Sequence, residues 1–178
     1  MEKTFLIQVD ENDNPVGVVE KMTAHREGIL HRAFSVFIFS MDGKFLLQKR
    51  ADGKYHSAGL WTNACCGHPL PGEDLFLAAG NRLNFEMGMD CTLWYLFSFK
   101  YKANLNNGLI ENEVDHVFIG RSGNKPAPNP EEVSEWKLVS MTELKEWITS
   151  DGSNFTEWFK LIYERVYDLY VMQYDQQK

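Results

Sequence analysis

The chain has 178 residues, 44% hydrophobic and 24% charged, which suits one soluble folded domain with a substantial core and excludes a disordered polypeptide. Its formal net charge of -7 speaks against a general basic surface for nucleic acid, while leaving room for a small anion held by a few placed lysines and arginines. No apolar run reaches membrane-spanning length, the start Met1-Glu-Lys-Thr-Phe-Leu-Ile7 lacks a signal-peptide core, and three cysteines, two of them adjacent, do not make a disulfide framework, so the chain reads as a cytoplasmic protein with reduced thiols.

Phe5 to Val9 and Val16 to Val19 read as short strands around the turn Asp10–Pro15. Lys21 to Leu30, which carries His25, is polar and shows no period. His31 to Phe39 reads as a buried strand, and Asp42-Gly43 supports a hairpin into Lys44–Arg50. Ala51 to Leu60, with Lys54 and His56, is a loop. It leads into Trp61-Thr-Asn-Ala-Cys-Cys-Gly-His-Pro-Leu-Pro-Gly-Glu73, whose His68-Pro69 and Pro71-Gly72 pairs also predict irregular backbone. Asp74 to Met87 reads as a helix with Leu75, Ala79, Leu83 and Met87 as its core stripe, and with Arg82 and Glu86 together on another face.

A hairpin follows, from Cys91–Tyr101 through Asn104–Gly108 into Leu109–Ile119. In its second strand Glu111, Glu113 and Asp115 alternate with apolar and amide residues, so period-two geometry puts the carboxylates on one face. Arg121 to Pro130 is a loop and Glu135 to Val139 a strand. Ser140 with Glu143, and Asn154 with Glu157, look like capping boxes opening two helices. In the second of these Phe155, Trp158, Phe159, Ile162, Val166, Leu169 and Tyr170 fall at helical spacing. Without repeats, low-complexity stretches or a second core, residues 1–178 read as a single α/β (α+β) domain.

His25, His31, His68, Glu111 and Glu113 are candidate metal ligands, a donor set suited to a borderline divalent cation such as Zn²⁺ or Mn²⁺. Carboxylates at i and i+2 on one strand face repel unless a cation or proton lies between them. The same residues also fit a solvated polar strand and unrelated histidines, since they come from separate parts of the chain. Cys66, beside Gly67 and His68, is the better placed thiol for chemistry; with a carboxylate opposite it would form an acid/base pair. Cys65 and Cys91 read as small packing residues. Lys21, Arg50, Lys54 and Arg82 each read singly as surface charges; together, with Glu86 on Mg²⁺, they suit a diphosphate. Trp158 reads as core, or as an aromatic face for a cationic intermediate.

The order of these pieces resembles the type 1 isopentenyl-diphosphate isomerases, a branch of the Nudix superfamily. The resemblance runs from about Lys21 to Trp158 and rests on His25 and His31, on Trp61-Thr-Asn-Ala-Cys-Cys-Gly-His-Pro-Leu70, and on Glu111-Asn-Glu113. Against the Nudix box, Gly67, Glu73, Glu86 and Gly88 match, whereas Asn81, Arg82 and Phe85 replace its Arg, a Glu and the first Glu of a pair. The loss of those glutamates points away from a diphosphate hydrolase, which stands as the alternative; a non-enzymatic metal-binding module is a third.

The resemblance implies a Nudix-like α/β/α sandwich around a mixed sheet. It implies that isopentenyl and dimethylallyl diphosphate are interconverted through a tertiary carbocation. Cys66 would lie on one side of the five-carbon unit, with Glu113 and Tyr101 opposite and Trp158 facing the cation. His25, His31, His68, Glu111 and Glu113 would hold Mn²⁺, Zn²⁺ or Mg²⁺. Glu86 would hold a Mg²⁺ bridging to the diphosphate, with Lys21, Arg50, Lys54 and Arg82 around it. The implied partner is this small-molecule substrate alone, with neither nucleic acid nor membrane, for a monomer or weak homodimer.

Overall fold

The computed structural model describes residues 4–175; Met1 to Lys3, the first part of the N-terminal stretch, and the last three residues lie outside the described residues. The elements run β1 (Phe5–Val9), β2 (Pro15–Glu20), α1 (Lys21–Glu27), β3 (His31–Phe39), β4 (Phe45–Arg50), β5 (Trp61–Thr62), β6 (Cys65–Gly67), α2 (Leu75–Met87), β7 (Leu93–Asn104), β8 (Ile110–Arg121), β9 (Val133–Val139), α3 (Met141–Asp151) and α4 (Glu157–Asp175).

Strand β3 is the axis of a nine-stranded mixed sheet. One edge pairs in parallel with β8 along its whole length, from His31 opposite Glu113 to Phe39 opposite Arg121. Its other edge is shared by β1 at His31, β6 at Phe34–Val36 and β4 at Ile38–Phe39. The hairpin places β7 on the outer edge of β8, and β5 and β9 flank β4.

Because β3 is covered on both faces, its sequence is almost continuously apolar. Phe37, Phe39, Val117 and Ile119 pack under α3 and α4, against Leu144, Phe155, Phe159, Ile162 and Val166. Phe34, Val36, Ile38 and Phe118 turn the other way, onto Ala78, Ala79, Leu83 and Met87 of α2. The predicted α2 stripe is therefore the buried one, with Leu75 at its half-buried end. Each buried Phe contributes about 1.5–3 kcal/mol of apolar burial, which locks the register of β3 against β8.

The α4 face changes character along the strands. Toward the start of β3 and β8 its apolar side chains give way to His31, Ser35, Glu111, Glu113 and Asp115, all buried. Rigid pairing thus delivers ionisable groups into the end of an otherwise apolar layer.

Three local expectations are corrected. The Lys21–Leu30 stretch contains α1, which lacks periodicity because only Ala24 and His25 are buried. Its caps define it: the Glu20 carboxylate accepts from the Met22 and Thr23 amides at 3.0 and 2.9 Å, and Gly28 closes it at φ 63°. Within the irregular stretch from Trp61, β5 and β6 form short strands, because β4 and β3 offer free edges there. Asn154 does not open α4; it ends a 3₁₀ turn, Gly152–Asn154, and its amide donates to Asp151. The Ser140–Glu143 capping box is present as expected.

Candidate active site

Four segments bring the predicted histidines and glutamates together: α1, the start of β3, the turn after β6, and β8. His25 Nδ1 lies 2.7 Å from the Lys21 carbonyl, and His31 Nδ1 lies 2.7 Å from the Ile29 carbonyl. A carbonyl only accepts, so each Nδ1 carries a proton, and a ring in its neutral, metal-binding form turns the Nε2 lone pair inward. There His25 Nε2 meets Glu111 Oε2 at 3.3 Å, and His31 Nε2 meets Glu113 Oε1 at 3.3 Å. His68 Nε2 lies 3.2 Å from His31 Nε2 and 2.8 Å from Glu113 Oε1.

His25, His31, His68 and Glu113 each offer a ligand atom within 4.8 Å of the others, and Glu111 forms a second such group with His25 and His56. Glu111 Oε2 is buried with no hydrogen-bond partner among the described residues. Lone pairs converging in a dry pocket are mutually repulsive until a cation lies among them. The donor set of imidazole nitrogen and carboxylate oxygen thus fits a divalent metal ion.

The electrostatics separate the two carboxylates. Burial opposes ionisation of Glu113, but the His31 and His68 imidazoles against it hold its pKa well below the usual range. Burial and the charge of Glu113 push Glu111 up. Burial pushes His68 down to about 3 against the pull of Glu113.

Beside this nest is a cavity of about 290 Å³ lined by Cys66, Tyr101, Glu113 and Trp158, among others. Cys66 lies opposite Ser35 on one edge of β3, and Glu113 lies opposite His31 on the other. The thiol and the carboxylate therefore come from opposite sides of one strand. Tyr101, directly across from Glu113 in the hairpin, donates its hydroxyl to Glu113 Oε2 at 2.6 Å. Burial pushes the Cys66 thiol up to about 12, although Arg50 and Lys54 pull it down, so the sulfur stays protonated. Trp158, 3% exposed, is fixed by its Nε1 donating to Asn63 Oδ1 at 3.2 Å.

Lys21, Arg50, Lys54 and Arg82 line the same cavity. Burial, then the charges of Lys54 and Arg82, push the Lys21 ammonium down from its ordinary value; cations crowded in this way favour a polyanion. Arg82 donates to Glu86 Oε1 at 2.6 Å and to Glu132 Oε2 at 2.8 Å, and Lys54 pairs with the same Glu132 oxygen. Arg50 donates to the carbonyls of His56 and Ser57 and lies over the Trp158 ring. Glu86 stands apart from the histidine nest, buried behind Arg82 with its other oxygen accepting from Gln48 at 2.6 Å.

Sequence reasoning missed several residues here. Asn63 lies inside the Trp-Thr-Asn motif, but nothing in the motif signals its bond to the Trp158 indole. Glu132 and His56 sit in loops whose composition carries no site signal. Ser35 is masked by its apolar strand, yet it donates to Asp115 Oδ2 at 2.7 Å beneath the cavity.

Residues 29–159 match the NUDIX domain family. The chain is 54% identical to "Isopentenyl-diphosphate Delta-isomerase 2" of Photorhabdus laumondii subsp. laumondii, covering 89% of each chain. It is 50% identical to "Isopentenyl-diphosphate Delta-isomerase 1" of Aromatoleum aromaticum, over 90% of this chain and 91% of the relative. It is 46% identical to "Isopentenyl-diphosphate Delta-isomerase" of Pectobacterium atrosepticum, over 94% of each. In fold it is similar to a Deinococcus radiodurans crystal structure (TM-score 0.69, 19% identity, 82% of this chain and 89% of that one). A MutT protein from Methanosarcina mazei Go1 is also similar (TM-score 0.63, 19% identity, 78% and 93%). The chain belongs to the Nudix family and, within it, to the isopentenyl-diphosphate Delta-isomerases.

Proposed function

We propose that the protein interconverts isopentenyl diphosphate and dimethylallyl diphosphate, in the cytoplasm, as a single domain spanning residues 1–178 and as a monomer or weak homodimer. The observation that carries this reading is Cys66 and Glu113 lining one cavity from opposite edges of β3. The reaction needs one proton added at the terminal alkene carbon and one removed from the carbon next to the diphosphate-bearing one, with a tertiary cation between. One proton is added to the substrate and one removed, so no co-reactant is consumed, and the proton gained by the base returns to the acid through solvent before the next turnover.

In the resting site the buried thiol holds a proton and the Glu113 carboxylate is free to accept one; the pair exchange roles when the reaction runs backward. Tyr101 orients Glu113 through Oε2. Trp158 offers its aromatic face to the cation, worth about 0.5–2 kcal/mol in a dry site. Enclosure of the hydrocarbon keeps water from capturing that cation. Lys21, Arg50, Lys54 and Arg82 grip the diphosphate, the arginines through paired N–H donors.

His25, His31, His68, Glu111 and Glu113 would hold a Mn²⁺, Zn²⁺ or Mg²⁺, whose positive charge would tune the acidity of the Glu113 carboxyl. Glu86 would hold a Mg²⁺ that would help to neutralise the diphosphate. Against a Nudix diphosphate hydrolase stand Arg82 and Phe85, which occupy box positions where glutamates are needed. Arg82 is instead a cavity-lining cation, and Phe85 is exposed.

The test is to incubate the protein with Mg²⁺ and isopentenyl diphosphate in D₂O and follow proton and phosphorus NMR. Growth of the deuterated allylic isomer without free phosphate is expected. Release of phosphate without isomerisation would instead favour the hydrolase.

A further inference from the structure

His56 is a buried histidine that the proposed chemistry does not use. Its Nε2 lies 3.3 Å from Glu111 Oε1, while the other oxygen of Glu111 is the partnerless one turned toward His25 Nε2. Its ring is boxed in: it stacks on His25 at 5.8 Å and 26°, meets Tyr55 edge-on at 4.3 Å, and meets Trp158 edge-on at 6.0 Å. Its Nδ1 lies 3.2 Å from the Ser57 hydroxyl. A hydroxyl proton on Nδ1 leaves the N–H of a neutral ring on Nε2, aimed at Glu111.

We infer that His56 is a positioning residue of the metal centre, holding Glu111 Oε1 so that Oε2 is presented to the cation beside His25. A second cation between His25, His56 and Glu111 is a poorer account of the cluster. His25 has only Nε2 to give, since Nδ1 is spent on the Lys21 carbonyl. The arrangement is that of a partner bonded to a ligand's far atom, which fixes the ligand's direction and basicity. The backbone of His56 is in turn held by the Arg50 guanidinium at 3.0 Å. One residue thus links a cation proposed for the diphosphate to a carboxylate proposed for the metal.

The inference rests on the metal-centre part of the proposed function, and the experiment separates the two. Mn²⁺ is titrated by EPR into the full-length protein and its His56→Ala, His56→Gln and His31→Ala variants, with thermal midpoints of the chelated proteins as the measure of folding. His56→Ala is expected to weaken Mn²⁺ binding about 10- to 100-fold, and His56→Gln, whose amide N–H reaches the same place, to recover most of it. A merely structural role would lower the chelated midpoint and leave the Mn²⁺ Kd of the folded protein unchanged. Loss of Mn²⁺ in His31→Ala together with wild-type affinity in His56→Ala overturns the inference alone. No Mn²⁺ bound by the wild type overturns the metal centre and the inference with it.

Discussion

Replacing Tyr101 by Phe removes one oxygen from the site and little else. The ring stacks on Phe99 at 5.3 Å and 18°, a contact Phe preserves, and the side chain is 7% exposed. What goes is the 2.6 Å hydrogen bond to Glu113 Oε2. A buried hydrogen bond to an ionised group is worth about 1.5–3 kcal/mol. If that orientation is used in the proton-transfer step, kcat falls roughly 10- to 150-fold. The metal should be retained, because Oε1, not Oε2, faces His31 and His68. Losing a donor to the charged form raises the pKa of Glu113, so the acid limb of the kcat profile moves to higher pH. The assay is steady-state isomerisation across pH, with metal content measured on the same preparations. Activity within about twofold of wild type, at equal metal content, would refute a catalytic use of this contact and reduce it to packing.

Other outcomes follow from the same geometry. With its thiol pushed up to about 12 by burial, Cys66 should be alkylated by iodoacetamide at pH 8 roughly 10³-fold more slowly than a free cysteine, its rate climbing with pH and not levelling off near neutrality; a plateau at pH 7–8, with the label mapped to Cys66, would count against the protonated resting state. Glu132→Ala takes away the carboxylate shared by Lys54 and Arg82, so KM for the diphosphate should rise about tenfold with kcat nearly unchanged; a fall in kcat at constant KM contradicts that role. Adding Mn²⁺ to the chelated protein at about 100 times its Kd should stabilise it by about 2.7 kcal/mol, or roughly 5–11 °C in Tm, which calorimetry measures directly; an unchanged Tm would speak against a built metal centre.

Much of the site was legible because its residues sit where local rules are strong. The alternation of Glu111, Glu113 and Asp115 follows from strand geometry alone, and all three are buried on one face. The Arg82–Glu86 pair follows from helical spacing. What periodicity could not supply was convergence. His25 comes from a helix defined by its caps, and His56 and Glu132 come from loops positioned by Arg50 and by a pair of cations. Cys65–Gly67 pairs as a strand only because β3 leaves an edge free, a tertiary fact with little trace in a Cys-Cys-Gly-His sequence.

The fold also explains why an unfavourable nest of lone pairs can exist. Phe37, Phe39, Val117 and Ile119 fix the parallel register of β3 and β8 in the apolar half of the layer. That same register then holds His31 opposite Glu113 in the polar half, where neither side chain would choose to remain. The cost of burying Glu111 Oε2 and the inward Nε2 atoms is borne by packing some residues away, not by local bonds. The carbonyls of Lys21 and Ile29 remove the remaining freedom by holding Nδ1 of each ring outward, which turns Nε2 into the nest. A cation placed there would relieve the repulsion and join α1, β3, the turn after β6, and β8 in one step. The stability it adds and the electrostatic tuning of Glu113 would then arise from the same contacts, so a substitution that loosens the nest should weaken both together.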